Sequence, residues 1–593
     1  IIHVSCLNGS FAWYLFLYYE AIKGLNMKTQ PLNIAILSAQ YLKYLPSLFD
    51  FWQGQSRPVH ILVVDDDLTA RRELLRRLSQ QSISPIYARL LEQWPIDLLG
   101  LHRLDIEPYQ FCLHILNTNH PHPWKAFSAD VDGFIVDEIN QEEHFMEALR
   151  LASPMPFVYA EKKCVEMIKS TLQYRQFSLQ CSQTSDVVMD KSSAPNSQVC
   201  LDPLNLFAQF AENWQYLQPT SFRPVKQLAA QKKREIAIIG AGVAGAGVAH
   251  AMANRGWQVT VFDPMFAHSP DEFVLQFASG AITPLVTADD SHKARISRAG
   301  VLRARIRWQA IAQQVGIKYC GTLELNRDKG HAKDLLDAVK ALNYPSEWAR
   351  LVSASEATEI AGIPVEQDGV YFPMGMQVPP VKLAHVLLQH PNIQCKALKI
   401  EWINKQADGY ELIGVDEDAV ATKVFFHQIV VANAIDSKSL LEKNELHRKT
   451  LKSGKQVNAI SCLNTLHALS GEVMMIPDDL LNGGPKCIVG GQGYFLPSQN
   501  GFCVMGSTYV HNDLTPKVSK EGQKVIWDKI PLSLSLDFES LQQSATIKGR
   551  ACVRAVIQGR LPIIGELEHA KGVWLACAYA SHGLTWSLSL IHI

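Results

Sequence analysis

The chain has 593 residues, of which 47% are hydrophobic and 19% are charged, and its formal net charge is −1. This composition is typical of a globular protein and excludes a disordered or fibrous chain. A length well beyond roughly 300 residues predicts two domains. The neutral charge balance excludes a general attraction to nucleic acid, so any phosphate contact must come from local basic patches.

The twelve cysteines form no Cys-x-x-Cys pair and no cluster at zinc spacing. This pattern argues against a metal site and a disulfide framework, and it favours a cytoplasmic location. The apolar run Phe11–Tyr19 is shorter than the roughly 20 residues that cross a bilayer, so no membrane anchor is predicted. Met27 would be a natural start, and the residues Ser589–Ile593 stop where a helix is predicted to begin, so we expect a truncated carboxyl end.

Short apolar strands alternate with helical stretches in the first third of the chain. Examples are Ile34–Leu37, Ile61–Val64 and the strand that ends at Asp137. Alternation of this kind predicts an α/β unit with a largely parallel sheet. We assign this first domain to residues 30–178.

A polar segment interrupts the pattern. Residues 180–200 are rich in Ser, Thr, Asn and Asp and have no sustained apolar period, which is typical of a linker. An amphipathic helix is predicted over Leu206–Leu217, and two prolines follow before the next apolar strand. We therefore predict a linker at residues 179–233 and a second domain at residues 234–593.

The strongest motif begins at Ile236, where an apolar strand runs into a Gly-x-Gly-x-x-Gly turn and a helix of small residues. Gly240 permits the tight turn, Gly242 lets the backbone approach a pyrophosphate, and Gly245 allows close packing of helix and sheet. A second strand then ends in Asp263, which can accept hydrogen bonds from ribose hydroxyls. The helix N-terminus offers free N–H groups to phosphates. The motif predicts a dinucleotide site but does not distinguish FAD from NAD.

A second motif near the carboxyl end favours FAD. An apolar strand that begins at Val573 runs through a Ser-His-Gly turn at Ser581–Gly583 into a new helix. The predicted cofactor contacts here are Ser581, Gly583, Leu584 and Thr585. Such a turn can aim helix N–H groups at the flavin C2 carbonyl and N1, which stabilises the negative charge of the reduced ring. A nicotinamide enzyme needs no second site of this kind.

These two motifs together resemble the D-amino-acid oxidase and glycine oxidase superfamily of flavoenzymes. Over residues 234–590 the chain is similar to the flavin domain of the bacterial bifunctional proteins of tRNA 5-methylaminomethyl-2-thiouridine biosynthesis. The stretches that support this by their order are Gly280–Pro284, Gly369–Pro373, Val430–Asn433, Ser470–Val473, Gly493–Pro497 and Gly506–Tyr509. The resemblance implies a Rossmann-like FAD-binding domain with an α+β substrate subdomain. The chain departs from the family at Ala434, where glycine is usual.

The resemblance also implies an activity and a site. The activity is FAD-dependent oxidation of the carboxymethylaminomethyl group at the wobble uridine (U34) of tRNA to aminomethyl. Arg554 would pair with the substrate carboxylate, and Tyr494 and His582 would be the other catalytic candidates. The implied cofactor contacts are Gly240, Gly242, Gly245, Asp263, Gly280, Gly506, Ser581, Gly583, Leu584 and Thr585. We expect a monomer that binds tRNA, no membrane and no metal.

In the same family the N-terminal half is an S-adenosylmethionine-dependent methyltransferase, and traces of it remain here. Asp65 could hold a ribose, and Asp137 falls where the family has an acid on its catalytic strand. However, residues 36–45 contain no glycine, and bulky Tyr41 and Leu42 would fill the space that a methionine moiety needs. We predict a degenerate Rossmann-like methyltransferase domain in which binding of S-adenosylmethionine is doubtful.

Two basic clusters could hold tRNA phosphates. The first lies within one predicted helix and consists of Arg295, Arg298, Arg303, Arg305 and Arg307. The second consists of His447, Arg448, Lys449, Lys452 and Lys455. A solvated charged face is the alternative for both. Two other functions also stay open, namely a small-molecule amine or amino-acid oxidase of the glycine oxidase type and a non-catalytic remnant.

Overall fold

The computed structural model describes residues 31–589 with several gaps. The residues left out within that range are 54–57, 82–83, 108–109, 128, 130, 138–140, 161–163, 165–166, 169, 172–176, 182–205, 211–233, 269–278, 327–334, 451–455, 459, 531–537 and 544–546. The chain divides into two compact units between Lys232 and Lys233.

The first unit is built on one eight-stranded sheet. Its strands are β1 Leu32–Leu37, β2 Val59–Asp65, β3 Gly100–Glu107, β4 Phe111–Asn117, β5 Val131–Val136, β6 Ala152–Ala160, β7 Phe177–Cys181 and β8 Leu206–Phe210. The order is β3-β4-β2-β1-β5-β6-β8-β7. The pairs from β4 to β6 are parallel, whereas β3 and the β7–β8 hairpin are antiparallel additions at the two edges.

Both faces of this sheet are covered. Along β1, Ile34 and Ile36 belong to one hydrophobic cluster, whereas Ala35 and Leu37 belong to another, because successive side chains of a strand point to opposite faces. The helices of the unit are α1 Leu45–Gln53, α2 Leu68–Gln81, α3 Ile86–Gln93 and α4 Glu142–Ala148. The predicted α/β unit with a largely parallel sheet is therefore confirmed.

The helix predicted over Leu206–Leu217 is wrong at its start. Leu206–Phe210 is strand β8, which pairs with both β6 and β7. A five-residue apolar run satisfies helical and strand patterns equally, and here the available partners in the sheet decide. Strands β7 and β8 thus extend the first sheet past residue 178 into the segment predicted as linker, most of which lies outside the described residues.

The second unit contains many short strands. They are β9 Glu235–Ile239, β10 Gln258–Phe262, β11 Gly280–Ile282, β12 Thr322–Leu325, β13 Arg350–Val352, β14 Gly369–Phe372, β15 Met376–Val378, β16 Ile393–Lys396, β17 Lys399–Lys405, β18 Tyr410–Val415, β19 Ala421–Phe426, β20 Ile429–Val431, β21 Arg448–Thr450, β22 Gln456–Asn458, β23 His467–Pro477, β24 Ile488–Gly490, β25 Tyr494–Phe495, β26 Phe502–Gly506, β27 Val510–His511, β28 Lys548–Val556, β29 Ile563–Glu566 and β30 Val573–Cys577.

Its helices connect and cover these strands. They are α5 Val243–Ala253, α6 His292–Arg307, α7 Ala312–Val315, α8 Leu335–Leu342, α9 Ala354–Ala361, α10 Pro380–Leu388, α11 Asp436–Lys443, α12 Lys520–Asp528, α13 Phe538–Gln543 and α14 Gly583–Ser589. Among the described residues, none of the helices has the length and apolar character that crossing a membrane requires.

Two large sheets organise the second unit. The first has the order β16-β10-β9-β20-β30-β29 and is parallel except for β29. The second has nine strands in the order β13-β14-β12-β24-β25-β26-β23-β27, with β28 also paired to β23. This is the predicted combination of a Rossmann-like domain with an α+β subdomain, and the fold class is confirmed.

Candidate flavin and substrate site

The glycine turn has the strand, helix and second strand that the sequence predicts. It connects β9 to α5. Gly240 has a φ of +105°, and a Cβ added there would lie 2.6 Å from the carbonyl oxygen of Ala432. A Cβ on Gly245 would clash with the carbonyl of Gly240, whereas one on Gly242 would meet open space. Gly240 and Gly245 are thus required by packing, and Gly242 leaves room for a ligand to approach.

Asp263 follows β10 and lies beside this turn. Its carboxylate accepts hydrogen bonds from the backbone N–H of Ala241 at 2.8 Å and from that of Met265 at 2.9 Å. These bonds fix the carboxylate next to the glycine turn. Each oxygen keeps further acceptor capacity, as a ribose contact would need.

The carboxyl ends of the parallel strands meet at one edge of the six-stranded sheet. Strand β9 lies between β10 on one side and β20 on the other, and β30 follows β20. The chain order therefore reverses direction at β9, which creates a crevice between β9 and β20. Ligands of open α/β sheets bind in such a crevice.

The carboxyl-terminal turn packs directly on the glycine turn. The chain leaves β30 through a 3-10 turn, Ala580–His582, and enters α14 at Gly583, as predicted. Ala244 packs against the buried pair Tyr579 and Trp586. The two motifs that the sequence analysis singled out therefore lie together.

Helix α14 packs closely against two glycines. A Cβ on Gly280 would lie 3.3 Å from the Cδ1 of Leu584, so the start of β11 is in contact with this helix. A Cβ on Gly300 would lie 2.5 Å from the carbonyl oxygen of Thr585. Gly300 was missed by the sequence analysis, although its place in a helix without other glycines is a signal for close packing.

His582 is neutral at physiological pH. The pKa of its imidazole is lowered to about 4, chiefly by burial and in addition by the positive charges of Lys293 and Arg560. The ring packs against that of Trp586 with 5.5 Å between centroids. Ser581, next to it, is exposed.

Arg554 lies in β28 of the nine-stranded sheet. Its guanidinium occupies the space over Gly471, because a Cβ there would clash with the Nη1 of Arg554. The guanidinium carbon lies 5.3 Å from the ring centroid of Tyr509. Nη1 is buried and has no hydrogen-bond partner among the described residues. A partly buried guanidinium whose Nη1 is an unused donor fits a carboxylate ligand.

Tyr494 lies beside this arginine. Burial raises the pKa of its phenol to about 12, an effect that the charge of Arg554 opposes. Its ring covers Gly506, where a Cβ would come within 2.6 Å of the Tyr494 hydroxyl. Gly506 was predicted as a cofactor contact, and it lies in the nine-stranded sheet with Arg554. The Oγ of Ser507 is buried and has no partner in the described part of the chain.

The arginine strand reaches the flavin motif. Strand β28 contacts the 3-10 turn Ala580–His582. The strand that carries the predicted anion-binding side chain therefore contacts the predicted flavin-binding turn.

The local features fit a bound dinucleotide. Gly242 borders open space, and the helix N-terminus of α5 faces the crevice at the strand ends. The Tyr579 hydroxyl and the Trp586 Nε1 are buried beside Ala244 without hydrogen-bond partners in the described ranges. Buried polar groups are normally satisfied, so unmatched ones beside a crevice indicate a ligand.

The five arginines expected on one helix do lie on α6, but they do not form one exposed patch. Arg298 and Arg303 are only 4% and 6% exposed. Arg298 donates to Asp290 at 2.9 Å and to the Tyr344 hydroxyl at 2.9 Å. The interpretation as a tRNA-binding surface is therefore wrong for these two residues. In the second cluster, Lys452 and Lys455 lie outside the described residues.

The carboxylates proposed for the first unit lie at the ends of β2 and β5, the two strands that flank β1. Asp65 is the last residue of β2, and Asp137 follows β5. They are 4% and 2% exposed, respectively. Both lie where the parallel strands of that sheet end, as predicted.

This fold and site define a flavin-dependent oxidoreductase. Residues 235–590 match the family model described as FAD dependent oxidoreductase (DAO), and the chain belongs to this family. FAD as cofactor and an oxidoreductase as enzyme class, both predicted from the sequence, are confirmed, and the non-catalytic alternative is set aside.

The chain is similar to curated proteins named tRNA 5-methylaminomethyl-2-thiouridine biosynthesis bifunctional protein MnmC. It is 25% identical to that of Burkholderia cenocepacia over 89% of this chain and 80% of the relative. It is 27% identical to that of Cupriavidus metallidurans over 90% and 79%, respectively. Among solved structures, glycine oxidase from Geobacillus kaustophilus matches with a TM-score of 0.48 and 16% identity, over 61% of this chain and 94% of that chain.

Proposed function

We propose that this enzyme oxidises the carboxymethylaminomethyl group on the wobble uridine of tRNA to an aminomethyl group. The observation that carries the proposal is Arg554, whose buried Nη1 has no partner among the residues described and whose strand contacts the flavin-binding turn. The names of the relatives, which align with most of this chain, support tRNA as the substrate.

Bound FAD supplies the oxidising power, because it accepts a hydride from the substrate carbon next to nitrogen. The glycine turn and Asp263 hold its pyrophosphate and ribose. The N–H groups at the start of α14 would hold the flavin, and the contacts of Leu584 with Gly280 and of Thr585 with Gly300 fix the position of that helix.

Arg554 binds the substrate carboxylate as a bidentate partner and so sets the position of the adjacent methylene. Tyr494 stays protonated at neutral pH, since its pKa is about 12, and it acts as a hydrogen-bond donor. His582 is unprotonated at that pH and, with a pKa of about 4, is a poor proton acceptor, so the proton that the amine releases passes to water. Loss of a hydride and a proton gives an imine, and water cleaves it into the primary amine and glyoxylate.

Tyr509 provides a surface for the uracil ring. Its side chain is 51% exposed. Its ring centroid lies 5.3 Å from the guanidinium carbon of Arg554 and 5.7 Å from the Nζ of Lys529. Four single bonds, or about 5 Å when extended, separate the carboxylate carbon from the uracil C5. A carboxylate held by Arg554 therefore brings the base within stacking distance of Tyr509, and stacking tolerates a base that has left its own stack.

The decisive experiment is anaerobic mixing of the purified enzyme with tRNA that carries the carboxymethylaminomethyl group. We expect loss of flavin absorbance and formation of one glyoxylate per flavin. Unmodified tRNA is the matched control. Reduction by free glycine or sarcosine with no reduction by modified tRNA would overturn the proposal in favour of a small-molecule oxidase.

A further inference from the structure

The carboxyl edge of the first sheet, where a nucleotide cofactor would bind, is filled by the protein itself. The segment Ser38–Tyr44 follows β1 directly and forms a 3-10 turn over Tyr41–Tyr44. No glycine occurs from Leu32 to Gln53. Tyr41, Leu42 and Tyr44 are 0%, 2% and 3% exposed, respectively, so this segment is packed into the sheet edge.

Both oxygens of the first carboxylate of this edge accept hydrogen bonds from the protein. The Oδ2 of Asp65 accepts a hydrogen bond from the Tyr41 hydroxyl at 2.8 Å and one from the Arg71 Nε at 3.0 Å. Its Oδ1 accepts from the backbone N–H of Asp67 at 3.2 Å. An acid at the end of the second strand is the group that would hold a cofactor ribose, and here a tyrosine hydroxyl has that position.

One oxygen of the second carboxylate is engaged by the same segment, whereas the other, the Oδ1 of Asp137, is buried without a partner among the described residues. The Oδ2 of Asp137 accepts from the Ser38 Oγ at 2.8 Å and from the Tyr44 hydroxyl at 2.9 Å, and the Lys43 Nζ lies 2.8 Å away. Ser38 to Tyr44 thus bridges the ends of β2 and β5 on either side of β1. In an open parallel sheet this is the switch point at which a cofactor binds.

The residues present therefore do not fit S-adenosylmethionine. We propose that the segment Ser38–Tyr44 permanently replaces the cofactor, that the first unit transfers no methyl group, and that the enzyme releases its product as a primary amine. The statement that the product is a primary amine rests on the proposed function. Any methylation of that amine requires a separate methyltransferase.

Calorimetry of the full chain with S-adenosylmethionine tests, without tRNA, whether the segment Ser38–Tyr44 occupies the cofactor site. We expect no saturable heat at concentrations up to about 1 mM, whereas an open site of this class would saturate in the micromolar range. Saturable micromolar binding would overturn the proposal. The result is independent of whether the flavin site accepts tRNA.

Two variants test whether the bulk of Tyr41 and Leu42 excludes S-adenosylmethionine. Tyr41→Gly combined with Leu42→Gly removes the bulk from the edge, and we expect it to bind S-adenosylmethionine at least tenfold more tightly than the wild type if it folds. Tyr41→Phe keeps the ring and should still not bind. If the double variant folds and binds S-adenosylmethionine no more tightly than the wild type does, the proposal is contradicted.

A label experiment covers the case in which the double variant does not fold. Full-length enzyme is incubated with modified tRNA and methyl-labelled S-adenosylmethionine, and the nucleosides are separated. We expect aminomethyl uridine without label. Labelled methylaminomethyl uridine would overturn the proposal, and absence of any oxidation would instead count against the proposed function.

Discussion

Gly300, in the middle of α6, lies directly against Thr585 in α14. Because an added Cβ would come 2.5 Å from the Thr585 carbonyl oxygen, the two helices can approach only without a side chain here. We expect Gly300→Ala to displace the start of α14 and to destabilise the second unit by about 1–3 kcal/mol, as overpacking does. Thermal unfolding and the flavin content of the purified protein measure this.

Gly242→Ala is the matched comparison. Its Cβ would meet open space, so the apoprotein should keep its melting temperature, whereas the pyrophosphate would be crowded. We expect the Kd for FAD to rise about tenfold or more. If both variants lose stability equally without FAD, the distinction between a packing glycine and a ligand-facing glycine is wrong.

Arg554→Lys keeps the charge of the guanidinium but loses its two parallel donors. We expect kcat/KM for modified tRNA to fall by roughly 100-fold, since disrupting a buried, hydrogen-bonded charge pair costs about 2–5 kcal/mol. Arg350→Lys is the control, because Arg350 also stacks on a tyrosine, at 5.2 Å from the Tyr371 centroid. An equal loss in both variants would exclude a specific role in carboxylate binding.

Tyr509→Ala should raise the KM for modified tRNA about tenfold and leave flavin reduction by small amines unchanged. The reason is that stacking of a base on an aromatic ring contributes roughly 1–3 kcal/mol. Tyr509→Phe should behave like the wild type. Leu514→Ala, at a side chain that is 64% exposed, serves as the control. An unchanged KM in Tyr509→Ala would show that the base does not stack there.

Two histidines of the second unit make its stability depend on pH. Burial is the first cause in both and lowers the pKa to about 4 in His582 and to about 3 in His250. In the unfolded chain both have their ordinary pKa near 6.5, so below that pH the unfolded state binds more protons. The free energy of unfolding should therefore fall as the pH drops from about 6.5 to 4. Melting temperatures of His582→Asn and His250→Asn should depend less on pH in this window than the wild type.

Ala434 has a φ of +53°, in the left-handed region. A side chain costs roughly 1–2 kcal/mol there, whereas glycine adds about 0.4–1 kcal/mol of unfolded-state entropy. Ala434→Gly should therefore stabilise the protein by about 0.5 kcal/mol in denaturant unfolding. Ala419→Gly, at a φ of +58° in an exposed turn, should give a similar gain. Destabilisation of both would contradict this account.

The features that the sequence predicted depend on local chemistry. The turn at Gly240 and the turn before Gly583 each combine a strand, small residues and a helix within a short stretch, and both were confirmed. The segment Leu206–Phe210 was assigned wrongly because a short apolar run does not reveal its partners. Both turns were expected to bind one flavin because of their motifs, whereas their contact through Ala244 required coordinates.

Contacts between distant segments explain what the sequence could not give. Nothing near Arg298 indicates that Asp290 neutralises it and that the Tyr344 hydroxyl accepts a hydrogen bond from it, so five arginines on one helix suggested an exposed surface. Likewise, the clearance that Gly471 gives to Arg554 joins positions more than eighty residues apart. In a single sequence, the only sign of a contact like that of Gly471 with Arg554 is an isolated glycine without an evident turn.

The pairing of β30 with β20 and of β20 with β9 has a consequence for biosynthesis. The sheet that receives FAD joins Glu235–Ile239 to Val573–Cys577, which emerges from the ribosome long afterwards. Because such distant pairing is slow and leaves strand edges open in the meantime, the nascent second unit waits for β30 before it can capture the cofactor. A supply of FAD at the time when β30 has been synthesised should therefore increase the yield of active enzyme.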